Sequence, residues 1–478
     1  MRLAEYGGGK SYSAAGNRPP SVEPIRKVRI IRPSFFLLFR RICKGAGSME
    51  IAASLAHKAL AALLQLAAQP FYYIGILFVL LQYRKQIVLE RQLFSTRLHS
   101  MLDTAWKTVL WGIVAGMAAS FVMAFIGATV PFGAILWIWA LSALLALFRV
   151  RFICLAYSVG VLGVIKAILL TFPALAQLDG VGKWLAPIDQ MPISSMFALV
   201  GLLHLLEAFF VYKQGAAMAM PVFIEGKRGR AIGGFQLQMY WPVPLLLLVP
   251  LQSGGVSAAL PWTPLFGGEM WSAGWTFAAL PIMLGFSDLT TTRLPVDKAK
   301  RSAGGLALYA LAVLGLAAAV QQVSNLTMIC SLAVIGLHEA LMLWSKWREA
   351  AVPPFYVHNE QGLRILSVLP GSPAEEMGLM PGEIIDKANG VPVRTKDQLH
   401  EALRTTGAFC KLEVINTDGH TKFAQRALYA GEHHLLGVLL APDENAKYVL
   451  VRRNIHWFSA AGRRKSALAS SSDKGRSV

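Results

Sequence analysis

From about residue 60 to 345 the chain is a succession of apolar runs separated by short polar segments. The runs are Leu60–Leu81, Thr108–Val130, Phe132–Phe148, Phe152–Phe172, Ile193–Tyr212, Leu237–Leu251, Trp271–Phe286, Leu306–Val320 and Leu326–Trp344. Most are near the length at which a helix crosses hydrocarbon with every backbone group paired internally. The pattern predicts an α-helical polytopic membrane domain over 49–350, with eight or nine transmembrane helices. Pro242, Pro244 and Pro250 interrupt one run and Pro281 another, which predicts broken or re-entrant helices there.

After Pro353-Pro354 the texture changes: charged residues rise and the apolar runs shorten. Gly362–Val368 alternates weakly and reads as a strand. Pro370-Gly371-Ser372-Pro373 is a turn entering a short helix, with Ser372 as N-cap and proline at the first helical position. Pro381–Ile385 reads as turn and strand, and Asn389-Gly390 as a tight turn. Thr395–Leu403 reads as a helix with Leu399 and Leu403 on one face. Phe409–Ile415, Thr421–Leu428 and Leu435–Leu440 follow as strands, the first two joined at Asp418-Gly419.

The stretch from Gly362 to Gly390, G-L-R-I-L-S-V-L-P-G-S-P-A-E-E-M-G-L-M-P-G-E-I-I-D-K-A-N-G, resembles a bacterial PDZ domain. Met377 stands where that family usually has Ala and Glu383 where it has Asp, and neither is expected to disturb the fold. The resemblance covers 353–442 and implies a small α+β domain. In such domains a peptide adds as a strand to an open sheet edge beside a helix. The family also captures a C-terminal carboxylate on the N–H groups of an x-Φ-G-Φ loop. Leu435-Leu436-Gly437-Val438, followed by Leu439, matches that loop best, and Gly362-Leu363 is a second candidate. Leu399 and Leu403 would line the groove. Groove and core share residue type, so each of these positions reads equally as core. Gly437→Asp is expected to weaken partner binding in a folded module.

The whole layout, a polytopic block followed by one PDZ module, is similar to the MinJ-type topological determinants of cell division in Gram-positive bacteria. That resemblance implies a septal and polar scaffold for septum site selection, bridging a DivIVA-like and a MinD-like protein. The residues themselves support a membrane-anchored module that binds cytoplasmic or membrane-associated proteins. Two other classes remain open: a non-catalytic PDZ adaptor for membrane proteolysis, and a transporter with a regulatory PDZ domain.

Charge sharpens the topology. The 478 residues carry a formal +19, which alone would point to nucleic acid. Residues 1–48 hold ten Lys/Arg against two acids, and 452–478 hold seven against one. Both basic ends, 1–48 and 443–478, are rich in small and polar residues and read as disordered. Phe35–Phe39 is too short to span a bilayer. Elsewhere Lys and Arg fall in alternate loops, from Arg84-Lys85 to Lys346 and Arg348. By the positive-inside rule the PDZ module is cytoplasmic. The basic partner is then the anionic lipid bilayer, and no nucleic acid is expected. Nine spans would put the basic N-terminus outside, which leaves two resolutions. Either the Pro70-containing first run does not span, or translation starts at Met49 and 1–48 is not native.

Chemistry is sparse. The four cysteines form no CxxC pair, so neither a zinc motif nor a disulfide framework is indicated. His338-Glu339 opens an HExxH pattern whose second histidine is missing. A rhomboid Gly-x-Ser-Gly motif and a soluble Ser/His/Asp domain are also missing from the sequence. The expectation is no enzyme, no cofactor and no metal. The intramembrane ionisable residues Lys166, His204, Glu207, His338 and Glu339 remain. His204 and Glu207 share a helix face, and Lys166 could pair with Glu207 between helices. These read as structural pairs, with a transport path as the functional alternative.

Overall fold

The computed structural model describes residues 46–443 except 95–100, 128–131, 178–179, 181, 227–228, 251–261, 263, 267–273, 359, 406–408 and 428–435. The run Phe35–Phe39, nearly all of both basic ends and Leu435 lie outside the described residues.

The first apolar run is not one straight helix. α1 (Ala46–Ala68) and α2 (Pro70–Phe94) meet at a 56° bend, where Pro70 takes the first position of α2. A proline there forfeits no hydrogen bond, because that N–H lacks a helical partner anyway. Then come α3 (Met101–Ile126), α4 (Phe132–Phe148), α5 (Leu155–Thr171), the short α6 (Gly182–Asp189) and α7 (Ile193–Gln214). α8 (Pro295–Gln322) and α9 (Thr327–Ala351) complete the helical part. Among the described residues four helices are long and apolar enough to cross a membrane, or five if α1 and α2 form one broken span. α4 and α5 are apolar but only 17 residues each.

The described residues do not reach eight or nine such helices, chiefly because two expected helices are strands. β1 (Ala219–Glu225), β2 (Ala231–Pro250) and β3 (Trp275–Thr290) form an antiparallel sheet in the order β1-β2-β3. β1 pairs only as far as Leu237, so the apolar half of β2 would be left with a bare edge. Helix α3 covers it. A Cβ on Gly112 would collide with the carbonyl oxygen of Pro242, and one on Gly116 with that of Pro244. The Leu246 N–H donates to Ser120 Oγ at 2.8 Å. Four helical residues rise about 6 Å and two strand residues about 6.6 Å, so the contacts stay in phase. Pro242 and Pro244 lack the N–H that this edge would leave unpaired, which is why prolines are tolerated there. On the other side α7 packs against β2, with Phe210 stacked on Trp241 at 4.8 Å.

The C-terminal module comprises β4 (Leu363–Val368), α10 (Pro373–Glu376), β5 (Ile384–Ala388), β6 (Val391–Pro392) and α11 (Lys396–Thr405). β7 (Phe409–Ile415), β8 (Thr421–Ala427) and β9 (Val438–Leu440) follow. Its sheet runs β8-β7-β5-β4-β9, with β6 on β5. Ile365, Ile385, Leu412 and Val414 from the sheet bury against Leu399, Ala402 and Leu403 of α11. Ser372 caps α10 through Oγ, which accepts from Glu375 N–H, while Glu375 reaches back to the Gly371 N–H at 2.6 Å. Asn389, at φ +51°, joins three elements. Its side chain donates to the Ala402 carbonyl and accepts from Lys411 N–H, at 2.9 and 2.8 Å.

The departures from the PDZ pattern are accommodated. Glu383 is buried, accepts from Met380 N–H at 2.9 Å and pairs with Lys422. Met377 packs against the module core.

The module is tied to the helical part. Gly233 N–H donates to the Tyr356 carbonyl, and Phe355 N–H to the Thr291 carbonyl, both at 2.8 Å. Leu366, on the face of β4 away from the module core, buries with Tyr356 and Phe235. Glu349 accepts from Thr291 N–H at 2.6 Å and Thr292 N–H at 2.9 Å, with the buried Lys298 at 3.7 Å.

Candidate functional site

β9 is the outer strand of the module sheet, so one of its edges is open among the described residues. The bonds to β4 come from odd positions: Leu369 N–H donates to the Gly437 carbonyl and Ala441 N–H to the Arg364 carbonyl, both at 2.8 Å. In an antiparallel ladder, bonding residues alternate. The backbone groups of Val438 and Leu440 therefore face the open edge.

The turn leading into β9 is clamped from inside. Ala374 N–H donates to the Leu436 carbonyl at 2.9 Å, beside the Gly437 bond to Leu369. Gly437 has φ +82°, and a Cβ there would run into the Ser372 side chain. Both constraints require glycine. A Gly437→Asp change is therefore not a clean binding mutation: the new side chain would displace Ser372 and disturb the cap of α10.

The remaining candidates separate by position. Leu399, Leu403, Leu363 and Leu436 are buried in the module core. Val438 is half-buried and packs against that core, while Leu439 is buried on the opposite face of its strand. Gly362-Leu363 enters β4, an inner strand flanked by β5 and β9, and a Cβ on Gly362 would meet the Ile385 carbonyl. That segment has no open edge. The geometry thus concentrates on 436–440.

The module's ionisable groups have simple causes. Burial pushes the Cys410 thiol up to about 11. The hydrogen bond from Lys387 to the Glu413 carboxylate, at 2.8 Å, raises the lysine.

The ionisable residues of the apolar helices assemble differently from the sequence expectation. Lys166 bonds to the backbone carbonyl of Asp189 and does not pair with Glu207. Glu207 Oε2 lies 4.0 Å from His204 Nε2. Cys154 Sγ lies 3.3 Å from His204 Nε2 and 3.7 Å from His338 Nε2. Cys154, His204 and His338 are the donors that could hold a metal ion among the described residues. Sequence reasoning missed this cluster because its members lie 50 and 184 residues from Cys154, with no motif spacing.

A PDZ domain family model matches residues 364–416. The cell division topological determinant MinJ of Bacillus subtilis (strain 168) is 30% identical over 381 residues, covering 78% of this chain and 93% of the relative. The probable cell division topological determinant MinJ of Lacticaseibacillus paracasei is 30% identical over 284 residues, 57% of this chain and 72% of the relative. No solved structure matches.

Proposed function

The chain belongs to the family of the cell division topological determinant MinJ, and on that premise we propose that it is a non-catalytic membrane scaffold in division-site selection. The observation that carries the reading is the β9 edge, open along Val438 and Leu440 and ended by the clamped Leu436-Gly437 turn. The turn's carbonyls bond inward, which leaves its N–H side for a partner's C-terminal carboxylate. The partner's strand would then extend the sheet. By the family likeness the partners are a DivIVA-like and a MinD-like protein, bridged at septum and poles of a Gram-positive cell.

Multi-pass insertion places this edge in the cytoplasm. The Lys/Arg-rich loops support that side. Two strands in place of two crossings leave it unchanged, since a hairpin that returns to its starting side keeps the parity of the remaining helices.

The sequence supports the absence of catalysis, because it contains neither HExxH nor Gly-x-Ser-Gly. Val438→Pro removes the outward N–H next to Gly437 and spares the ladder bonds of Gly437 and Ala441. It is expected to weaken partner binding about 10-fold or more, the worth of one charge-assisted hydrogen bond. Pull-down with the full chain measures this, with amide exchange of β4 as the folding check. A fluorescent fusion should concentrate at septa and poles, and deletion should give filaments or minicells. Uniform membrane signal with normal division would overturn the scaffold. Altered cleavage of a client would instead point to a proteolysis adaptor, and lost solute flux to a transporter.

A further inference from the structure

We propose that Cys154, His204 and His338 form a zinc site within the helical domain, with the Glu207 carboxylate beside it. Cys154 immediately precedes α5, His204 and Glu207 lie in α7, and His338 lies in α9. The site would join three elements that are distant in the chain.

The sulfur-to-nitrogen distances match the edges of a tetrahedron. With Zn–S near 2.3 Å and Zn–N about 2.0–2.1 Å, the S···N edge is about 3.6 Å. The two Cys154 Sγ to Nε2 separations are 3.3 and 3.7 Å. The three donor atoms all lie within 4.8 Å of one another. Glu207 Oε2 lies 4.0 Å from His204 Nε2. The tetrahedral N···O edge is about 3.4 Å, so this carboxylate lies just outside ligating distance and next to the site.

Both imidazoles are oriented for ligation. His204 Nδ1 is 2.8 Å from the Val200 carbonyl, which can only accept, so the proton is on Nδ1. His338 Nδ1 is 2.9 Å from the Tyr157 hydroxyl. That hydroxyl donates to Glu339 at 2.6 Å, and Arg151 holds Glu339 at 3.0 Å. The Tyr157 oxygen therefore accepts from His338 Nδ1–H. Each ring is left with a bare Nε2 lone pair aimed at the same sulfur. This is the outer support that ligating histidines ordinarily carry.

The thiol by itself serves the two rings poorly. One thiol has one proton, and two buried Nε2 acceptors face it. A divalent cation satisfies both. With a thiolate, two neutral imidazoles and the neighbouring Glu207 carboxylate, the loaded site and its surroundings are uncharged, as burial demands. The thiolate and imidazole donors suit zinc and exclude magnesium and calcium. A cavity of about 980 Å³, lined in part by Arg151, Cys154, His204, Glu207 and His338, gives the ion a way in. Three protein donors would hold the ion and so lock α5, α7 and α9 together.

The test is metal analysis of the full chain purified in detergent, before and after Zn²⁺ loading. About one zinc per chain is expected. Cys154→Ser and the double variant His204→Gln/His338→Gln should lose it. Cys330→Ser, at a buried cysteine of α9 outside the cluster, should keep it. Tyr157→Phe should weaken binding about 10-fold or more. Should a variant fail to fold, Co²⁺ added to the unaltered chain decides: a thiolate-to-cobalt charge-transfer band that Zn²⁺ abolishes supports the site. A loaded chain without zinc or cobalt signal overturns it, and so does zinc retained by folded Cys154→Ser protein.

Discussion

At Gly437 two demands coincide: a left-handed backbone and the Ser372 side chain lying where a Cβ would stand. Gly437→Ala should cost about 2 kcal/mol or more, from the left-handed penalty and the displaced cap. The loss would appear as faster amide exchange at Leu369 and Ala374, whose N–H groups hold this turn. Cys410 gives a pH signature. Its thiol titrates near 11 in the folded module against about 9 when exposed. Below about 9 both states keep the proton, and the thiol leaves stability unchanged. Between about 9 and 11 the unfolded chain ionises first, so the module loses stability as pH rises. Alkylation of Cys410 should therefore be slow at neutral pH and keep rising with pH to about 11, where an exposed thiol would level off near 9, which mass spectrometry of the labelled chain would follow. Ser372 and Asn389 were legible in the sequence because caps and turns are set by a residue's own chemistry, whereas Gly437 was singled out only through the family resemblance. The burial of Leu399 and Leu403 was not, since a groove and a core ask for the same side chains.

At the scale of elements, hydropathy located the apolar segments but could not tell what two of them were. Leu237–Leu251 is apolar at nearly every position because β2 is enclosed, by α7 on one face through Phe210 and Trp241, by α2 on the other through Phe78 and Tyr240, and by α3 along its edge. A strand enclosed in this way loses its alternation and imitates a helix. The informative signal was Pro242-Val243-Pro244: two prolines two apart suit a strand edge and break a helix. Gly112, Gly116 and Ser120, each four apart, were the matching half of that signal on α3. The pairing is testable. Ser120→Ala leaves the Leu246 N–H without its acceptor and should cost about 1–3 kcal/mol. Gly116→Leu should cost more by forcing α3 away from Pro244. Thermal unfolding of the detergent-solubilised chain would rank the two, and equal melting temperatures for all three proteins would refute this packing.

For the whole molecule, Glu349 fixes the Thr291 segment of the helical domain, whose carbonyl receives the Phe355 N–H of the chain leading to the PDZ module. Its carboxylate receives Thr291 and Thr292 N–H groups and lies near Lys298, which Asp288 also pairs at 2.9 Å. Glu349→Ala should destabilise this segment by about 1–3 kcal/mol, leaving the Thr291 and Thr292 N–H groups without their acceptor. Limited proteolysis between 352 and 362 should then accelerate while the module core stays resistant. Local pattern alone was enough for the apolar character of the helical domain, the strand and turn order of the PDZ module, and the family likeness. Each depends on composition, on period, or on residues adjacent in the chain. Tertiary structure alone decided that two apolar runs are strands, that Lys166 serves Asp189, and that β9 carries the open edge. It also brought Cys154, His204 and His338 to one point. These outcomes depend on which distant segments meet, and the pairing of buried polar groups across helices leaves no periodic trace in the chain that encodes it.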